Sequence, residues 1–270
     1  MNFKNTISFI GGGNMAEALA GGIVRAGIVP AGSIMISDPL VPRCEYLKNT
    51  YGFEVTSGNR QAAVAGGTIF LAVKPQVMQG ILDEISGTLR EGALVISIAA
   101  GITISFLEGN LPRARVIRSM PNTPALVGAG ATVISPGSHV HADMTRWAVE
   151  LFHAVGSCHV LPEELMDAVT GLSGSGPAYI FRMAEALTEA GVAAGIPVQQ
   201  SGELVRQTIL GAARMMVETG QTPTRLREMV TSPGGTTEAG LAELGKAGFV
   251  EAVVEAVLAA AKRAGELGQG

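Results

Sequence analysis

The sequence predicts an α/β fold in which a parallel sheet covered by helices is followed by an all-helical region. Up to about residue 160, short runs rich in β-branched residues alternate with helical stretches. After about residue 162 these runs give way to segments rich in Ala, Leu, Glu and Met. We therefore predict two domains, one over residues 1–160 and a helical one over residues 161–270.

The predicted strands are short, and segments with enough Ala, Leu and charged residues for helices separate the first ones. The strands are residues 7–10, 34–37, 68–73, 94–98, 116–120 and 132–135. The helices between them include residues 15–26, 42–51 and 75–89. Strands that alternate with helices indicate right-handed βαβ units, and hence a parallel sheet.

In the second half, helices are predicted over residues 178–194, 198–219 and 238–245. Apolar residues recur in the first of these at helical spacing, and they are numerous enough to cover more than one face: Ile180, Met183, Ala184 and Leu187. Surplus apolar surface predicts a subunit interface. The alternative is that these side chains fill an ordinary helical core.

Composition excludes several function classes. The net charge of −4, without a Lys or Arg cluster, argues against nucleic acid as a partner. No apolar run approaches the roughly 20 residues of a membrane span, and the N-terminus lacks the pattern of a secretory signal. Cys44 and Cys158 are too few for a disulfide scaffold or a zinc site, and we expect reduced thiols in a cytoplasmic protein. None of the four histidines has a metal-ligand pattern, so no metal site is predicted.

A glycine-rich loop, Gly11-x-Gly13-x-x-Ala16, lies between the first predicted strand and the first predicted helix. Gly11 permits a tight turn, Gly13 removes a Cβ that would collide with a pyrophosphate, and Ala16 lets the helix pack closely on the strand. The free amides at the start of the helix attract negative charge. This placement predicts a Rossmann-type dinucleotide site, and the alternative is a purely structural turn.

The choice between NAD(H) and NADP(H) depends on the end of the second strand. Asp38 follows that strand, where a carboxylate can accept hydrogen bonds from the adenosine ribose and opposes a 2′-phosphate. Arg43 lies five residues later and could pair with such a phosphate. Asp38 favours NADH and Arg43 favours NADPH, so both cofactors stay open. The alternatives are a turn-initiating Asp38 before Pro39 and a merely exposed arginine.

Later strand ends add further residues to this site. Pro75 forces an extended Lys74 and ends the third strand, which presents the backbone there to the crevice. The small residues at 99–101 permit close approach of a flat ring, and the proline-bounded segment 120–124 is placed to flank it. Ligands of such folds bind outside the carboxyl ends of the strands.

A second candidate site is the turn TSPGGTTE at residues 231–238. Gly234 and Gly235 leave amide donors without side chains, and Thr236 and Thr237 precede a helix expected to begin at Glu238. The amino end of a helix favours a carboxylate. Binding of a small anionic substrate and a plain N-cap after a flexible turn are both consistent with this pattern.

With these residues assembled, the chain resembles the pyrroline-5-carboxylate reductases along nearly its whole length. The resemblance is carried by FIGGGNM at 9–15, AVKP at 72–75, AAG at 99–101, MPNTP at 120–124, DAVTGLSGSGPAY at 167–179 and VTSPGGTT at 230–237. It implies reduction of 1-pyrroline-5-carboxylate to L-proline with NADPH or NADH, the last step of proline biosynthesis. It also implies a helical domain that interlocks with its twin in a homodimer, an active site shared between subunits, and often a decamer built from five dimers.

The resemblance also assigns site residues. It implies cofactor contacts by Ile10, Gly11, Gly12, Gly13, Asn14, Met15, Asn59, Ala72, Lys74, Ile98 and Ala100. It implies that the substrate carboxylate is held by Ser232, Gly234, Gly235, Thr236 and Thr237, with Thr237 beside the ring nitrogen. At the ribose end, the pair Ser37 and Asp38 departs from some relatives, which puts a preference for NADPH in doubt.

Two other functions are consistent with parts of the pattern. A hydroxyacid dehydrogenase of similar plan would need a Lys or His acid/base in the helical half, but Lys246 and Lys262 do not lie at a glycine-rich helix start. A non-catalytic dinucleotide-binding protein would not need the glycine-threonine turn. Ser173 and Ser175 superficially suggest a hydrolase elbow, but we expect them to cap and pack the helix near Pro177.

Overall fold

The computed structural model describes residues 6–268 and has the predicted fold class, a mostly parallel sheet followed by a helical region. Within these residues eight strands form one sheet. They are β1 (Ile7–Ile10), β2 (Ile34–Ser37), β3 (Glu54–Thr56), β4 (Thr68–Leu71), β5 (Leu94–Ser97), β6 (Arg115–Met120), β7 (Gly130–Pro136) and β8 (Gly156–Val160). Their order across the sheet is β3-β2-β1-β4-β5-β6-β7-β8.

Helices connect the strands and make up most of the second half. They are α1 (Asn14–Arg25), α2 (Val41–Tyr51), α3 (Asn59–Ala65), α4 (Met78–Ile85), α5 (Ile104–Asn110), α6 (Ala142–His153), α7 (Met166–Val169), α8 (Gly176–Ala193), α9 (Val198–Thr219), α10 (Pro223–Met229), α11 (Thr236–Lys246) and α12 (Phe249–Leu267). None of the helices in the described part of the chain is both long enough and apolar enough to cross a membrane.

One strand pair departs from the predicted parallel arrangement, because β6 and β7 are antiparallel. The segment between them holds only the 3₁₀ turn Thr123–Val127. A parallel return needs a crossover of a dozen residues or more, which this segment is too short to provide. The sheet then resumes parallel pairing from β7 to β8.

The core lies on both faces of the central strands, and every residue of β1, β4 and β5 is buried. On one face, the rings of Phe9 and Phe70 stack with centroids 4.6 Å apart, and Phe152 of α6 meets Phe70 edge to face. On the other face, Ile10 and Leu71 pack with residues of α4 and α5. Burying each such side chain contributes about 1.5–3 kcal/mol, which makes these strands a rigid platform for the loops at their ends.

The chain divides into two compact units. The first contains the residues up to Ser175 together with those from Leu258 onward, and the second is Gly176–Val257. The final turns of α12 therefore belong with the sheet: a Cβ at Gly265 would lie 3.1 Å from the carboxylate of Asp167. The domain boundary between residues 160 and 161, which the sequence predicts, stays a prediction.

In the second unit, α8 and α9 pack closely where a Cβ on Gly191 would lie 2.2 Å from Ser201 Oγ. Ser201 Oγ donates to the carbonyl of Thr188, which completes this contact. The remaining surface is unusually apolar, with Phe181 62% exposed and Val217 83% exposed in the single chain. Ile180 and Leu187, from the predicted apolar stripe, are both 44% exposed.

Candidate functional site

The carboxyl ends of four parallel neighbours, β1, β4, β5 and β6, lie side by side at one edge of the sheet. Backbone hydrogen bonds continue past the strands: the N–H of Ala72 donates to the carbonyl of Ile10 at 2.8 Å, and that of Ile98 donates to Leu71 at 3.1 Å. The loops after these strands contain most of the residues predicted to bind a cofactor, so the fold brings those residues together.

Gly11 holds the tight turn after β1. Its φ is +95°, and a Cβ at this position would lie 2.5 Å from the carbonyl oxygen of Ala72. Its N–H donates to the carbonyl of Ser37 at 2.8 Å, so the turn is fixed between β2 and β4. Only glycine fits both the left-handed conformation and the close approach of the neighbouring backbone.

Gly13, in contrast, has no heavy atom within 4 Å of where its Cβ would be. It is the extended N-cap residue of α1, and no side chain caps the helix. The amides at the start of α1, from Asn14 and Met15 onward, therefore have no side-chain cap and follow a residue beside which a Cβ would meet no neighbour. This arrangement fits the phosphates of a dinucleotide, which helix N-termini favour through free N–H groups and the helix dipole.

Asp38 lies just past β2 and fixes the middle of the glycine loop. Its Oδ2 accepts a hydrogen bond from Gly12 N–H, and its Oδ1 accepts one from Leu40 N–H, both at 2.9 Å. Each carboxylate oxygen can accept further bonds, so Asp38 retains capacity for a ribose hydroxyl. Asp38 therefore forms a turn with Leu40 and also contacts the glycine loop.

Arg43, at the start of α2, is bound to the protein itself. Its Nε donates to the carbonyl of Gly12, and its Nη2 donates to Oε2 of Glu17 on α1, each at 2.5 Å. The side chain of Arg43 is only 22% exposed, and that of Glu17 is only 16% exposed. Arg43 is thus not a freely solvated arginine, because two of its five N–H donors are bound within the protein. Its pairing with a phosphate stays a prediction.

Glu17 is a site residue that the sequence analysis missed. Its Oε1 accepts hydrogen bonds from the hydroxyls of Tyr51 at 2.7 Å and Tyr46 at 3.0 Å, in addition to the bond from Arg43. Burial raises the pKa of Glu17, but the hydrogen bonds from Tyr51, Arg43 and Tyr46 outweigh it and hold that pKa below its usual value. The bond to Glu17, followed by burial, raises the pKa of Tyr51 to about 12.

Ser37 and Asn59 form a second polar contact at the same end of the sheet. Ser37 Oγ donates to Oδ1 of Asn59 at 2.9 Å, and Nδ2 of Asn59 donates to Glu84 on α4 at 2.8 Å. Asn59 is the first residue of α3, so this pair fixes the start of α3 beside the end of β2. The structure therefore brings the two predicted cofactor residues into direct contact.

The loops after β4 and β5 are extended and largely without bulky side chains. Lys74 is exposed with φ −68° and ψ 147°, the conformation that the following Pro75 requires, and Pro75 begins a 3₁₀ turn. After β5, Ala100 is half-buried and Gly101 adopts φ +76°. These loops present backbone and small side chains at the edge where a flat ring would lie.

Asn122 connects the loop after β6 to the next part of the chain. Its Oδ1 accepts a hydrogen bond from Ala131 N–H at 2.8 Å, and its Nδ2 donates to the carbonyl of Ser173 at 3.0 Å. Ser173 lies in a turn of π-helix, Thr170–Gly174, and such turns are frequent at functional sites. This amide therefore positions both the 120–124 loop and the π-helical turn, a role that the sequence did not reveal.

The predicted substrate turn lies in the second unit, and α11 begins at Thr236, two residues earlier than expected. Gly234, with φ +71°, donates its N–H to the carboxylate of Glu238 at 2.6 Å. Gly235 donates its N–H to the carbonyl of Ser232 at 3.0 Å. Both glycine amides therefore have acceptors within the turn, in contrast to the expectation that they are exposed for a substrate.

Gly235 is the N-cap of α11, and no side chain caps that helix. The first amides of α11, those of Thr236 and Thr237, are consequently the ones presented at an uncapped helix start. Ser232, Thr236 and Thr237 thus remain grouped at one end of this helix. Their juxtaposition with the cofactor residues stays a prediction.

Other chemistries have no support among residues 6–268. These residues contain no group of three or more His, Cys, Asp or Glu side chains placed to hold a metal ion. Ser173 Oγ donates to the carbonyl of Val169 within its own helical turn, as expected for a packing serine. Burial raises the pKa of the Cys158 thiol to about 12, so this thiol is not a reactive thiolate.

Two family models match separate parts of the chain. The model described as pyrroline-5-carboxylate reductase dimerisation matches residues 163–267, and the one described as NADP oxidoreductase coenzyme F420-dependent matches residues 6–101. The second match contains the glycine loop, and the first contains the turn at 231–238.

Curated relatives and solved structures match nearly the whole chain. The chain is 44% identical over 263 residues to pyrroline-5-carboxylate reductase of Synechocystis, covering 97% of this chain and 98% of the relative. Among solved structures, the Coxiella burnetii pyrroline-5-carboxylate reductase has a TM-score of 0.93 at 39% identity, covering 98% of this chain and 99% of that one. The Plasmodium falciparum pyrroline carboxylate reductase, solved with NADP bound, has a TM-score of 0.88 at 33% identity, covering 99% and 100%.

Proposed function

This chain belongs to the pyrroline-5-carboxylate reductase family, and from that premise we propose that it reduces 1-pyrroline-5-carboxylate to L-proline with NADH or NADPH. The observation that carries the proposal is the open amide cradle at Gly13. It supplies a phosphate site at the carboxyl edge of the sheet, outside which ligands of such folds bind. The reaction is the last step of proline biosynthesis.

The nicotinamide cofactor supplies the hydride when it is bound. The chain's own residues would hold it: the first amides of α1 would bind the pyrophosphate, and Asp38 would accept hydrogen bonds from the ribose. Lys74, Ala100 and their neighbours line the loops against which the ring lies. Because a protonated cyclic imine is already electrophilic, the protein contributes mainly positioning.

The substrate carboxylate is proposed to bind at the start of α11. The uncapped amides of Thr236 and Thr237 and the hydroxyl of Ser232 support this assignment. Thr237 orients the ring nitrogen through its hydroxyl, which is too weak an acid to serve as a strong proton donor. In this arrangement the carboxylate stabilises the helix end.

We also propose that the functional form is a homodimer whose C-terminal helices form the interface, with the active site shared between subunits. The exposed apolar side chains of α8 and α9 and the match to a dimerisation model support the dimer. A decamer of five dimers is the larger assembly proposed. Sedimentation velocity at several concentrations tests both, and a monomer at all of them would contradict the shared site.

We also propose a cytoplasmic location, which the buried free thiols of Cys44 and Cys158 support.

The decisive experiment follows nicotinamide absorbance on addition of 1-pyrroline-5-carboxylate to the purified chain, with L-proline quantified as product. We expect stoichiometric oxidation of NADH or NADPH. A hydroxyacid dehydrogenase would instead reduce NAD(P)⁺ with 2-hydroxy acids. A non-catalytic protein would bind the cofactor without turnover, and either result would contradict the proposal.

A further inference from the structure

The carboxylate of Glu17 is the centre of a polar cluster above the start of α1. The cluster consists of Glu17, Arg43, Tyr46 and Tyr51, and its three donors all bond to the one carboxylate. The contacts join residues 26 to 34 positions apart in sequence. Tyr46 also lies under the Arg43 guanidinium, 5.1 Å from its ring centroid, so the position of the cation is fixed on two sides.

This cluster adjoins the place where a dinucleotide's ribose would lie. The peptide group of Gly12 is held on both sides, because Asp38 accepts from its N–H and Arg43 donates to its carbonyl. Arg43 and Asp38 therefore contact the same peptide group, and the ion pair that Arg43 forms is with Glu17. The two carboxylates and one guanidinium leave a net charge of −1 at this end of the loop.

A 2′-phosphate and a 2′-hydroxyl respond oppositely to that charge. The hydroxyl of NADH can donate to the spare acceptor sites of Asp38. The 2′-phosphate of NADPH cannot donate when ionised, and it meets a cluster of net charge −1 whose guanidinium is already paired with Glu17. Arginine is the side chain best suited to bind a phosphate bidentately, and the ion pair with Glu17 neutralises the charge of Arg43 and occupies one of its Nη2 donors, which weakens Arg43 as a partner for the 2′-phosphate.

We propose that Glu17 is a specificity-determining residue: by holding Arg43, it leaves Asp38 uncompensated and selects NADH over NADPH. This inference rests on the proposed function, because it concerns the cofactor of that reaction. The selection of the cofactor would then depend on Glu17 of α1 as well as on Asp38 at the end of β2.

The test compares kcat/KM for NADPH and NADH in the wild-type chain, Glu17→Gln, Arg43→Ala and the double variant. We expect the wild type to prefer NADH, and we expect Glu17→Gln to raise the NADPH-to-NADH ratio about tenfold by freeing Arg43. In the Arg43→Ala background the same substitution should produce a clearly smaller rise, since only the through-space effect of one charge remains. Glu150→Gln on α6 is the matched control and should leave the ratio unchanged.

A binding measurement separates specificity from turnover. Calorimetric titration with ADP-ribose and with 2′-phospho-ADP-ribose should show the same shift in preference as the kinetic ratio. A wild-type preference for NADPH, or an equal rise of the ratio in both Arg43 backgrounds, would overturn the inference. If Glu17→Gln does not fold, Glu17→Asp tests the same contact, because its shorter side chain draws the carboxylate away from Arg43, and it must raise the ratio. Absence of turnover with both cofactors would instead contradict the proposed function itself.

Discussion

Two glycines of the same loop should respond to alanine in opposite ways. At Gly11 the new methyl group would lie 2.5 Å from the carbonyl oxygen of Ala72, in a backbone with φ +95°. Left-handed strain and overlap with a fixed backbone each cost about 1–3 kcal/mol, so Gly11→Ala should lower the free energy of unfolding by about 3 kcal/mol or more.

At Gly13 the methyl group has no protein neighbour within 4 Å, and φ −66° with ψ −179° is accessible to alanine. The entropic gain of replacing glycine offsets the poorer N-cap, so the free energy of unfolding should stay within about 0.5 kcal/mol of wild type. The methyl group would instead occupy the space through which a pyrophosphate reaches the amides. We expect the Kd for NADH to rise at least about tenfold, equivalent to about 1.4 kcal/mol.

Denaturant unfolding followed by intrinsic fluorescence, together with calorimetric titration of NADH, measures both quantities on both variants. Gly80→Ala is a control: this glycine lies in α4, and no heavy atom lies within 4 Å of its Cβ position. An unchanged Kd in Gly13→Ala would refute the assignment of the phosphates to this cradle. Unchanged stability in Gly11→Ala would refute the steric argument on which the loop geometry rests.

Three further predictions concern other parts of the site. Thr237→Ala should lower kcat/KM for 1-pyrroline-5-carboxylate by a factor of about 5 to 150 in steady-state kinetics, while calorimetric titration should show an unchanged Kd for NADH. Thr237→Ser keeps the hydroxyl and should restore part of the rate. Equal kcat/KM in all three proteins would contradict the role of Thr237. Asn122→Asp keeps the acceptor for Ala131 but loses the donor to Ser173. It should therefore lower the free energy of unfolding by about 1–3 kcal/mol and lower kcat more than it raises the KM for NADH, and Asn122→Ala should be more destabilising. Wild-type kcat and stability in the Asp variant would show that the contact with Ser173 does not position the loop. The pKa of Glu17 is lower in the folded chain than the ordinary value of 4.5, so its carboxylate contributes to stability above pH 4.5, and this contribution is lost as the pH falls through the folded pKa. The free energy of unfolding, measured between about pH 7 and pH 3, should therefore fall less steeply in Glu17→Gln than in the wild type. Identical slopes would contradict the prediction.

The parts of the fold that the sequence predicts are those in which burial repeats a local pattern. β1, β4 and β5 are buried at every position, so their apolar runs are recognisable. The short strand β3 contains an exposed Glu54, and β8 buries only Cys158. Neither strand has the apolar content that identifies a strand from sequence, because each lies at an edge of the sheet.

The geometry of the candidate site was predictable where a backbone conformation needs a particular residue type, and not where side chains from distant segments meet. Gly11 and Gly13 are recognisable from their spacing after a strand. The bonds of Glu17 to Arg43 and Tyr51 depend on how α1 and α2 pack, which no local pattern records. The acceptors that Gly234 and Gly235 find within their own turn were likewise invisible, because they depend on its exact geometry.

The membership of residues 258–268 in the sheet-containing unit has a consequence for biosynthesis. A nascent chain emerging from the ribosome can assemble the strands early, but the segment that completes this unit is translated only after Gly176–Val257 has passed. The sheet-containing unit is therefore incomplete throughout the synthesis of Gly176–Val257, and it can be completed only once residues 258–268 have followed.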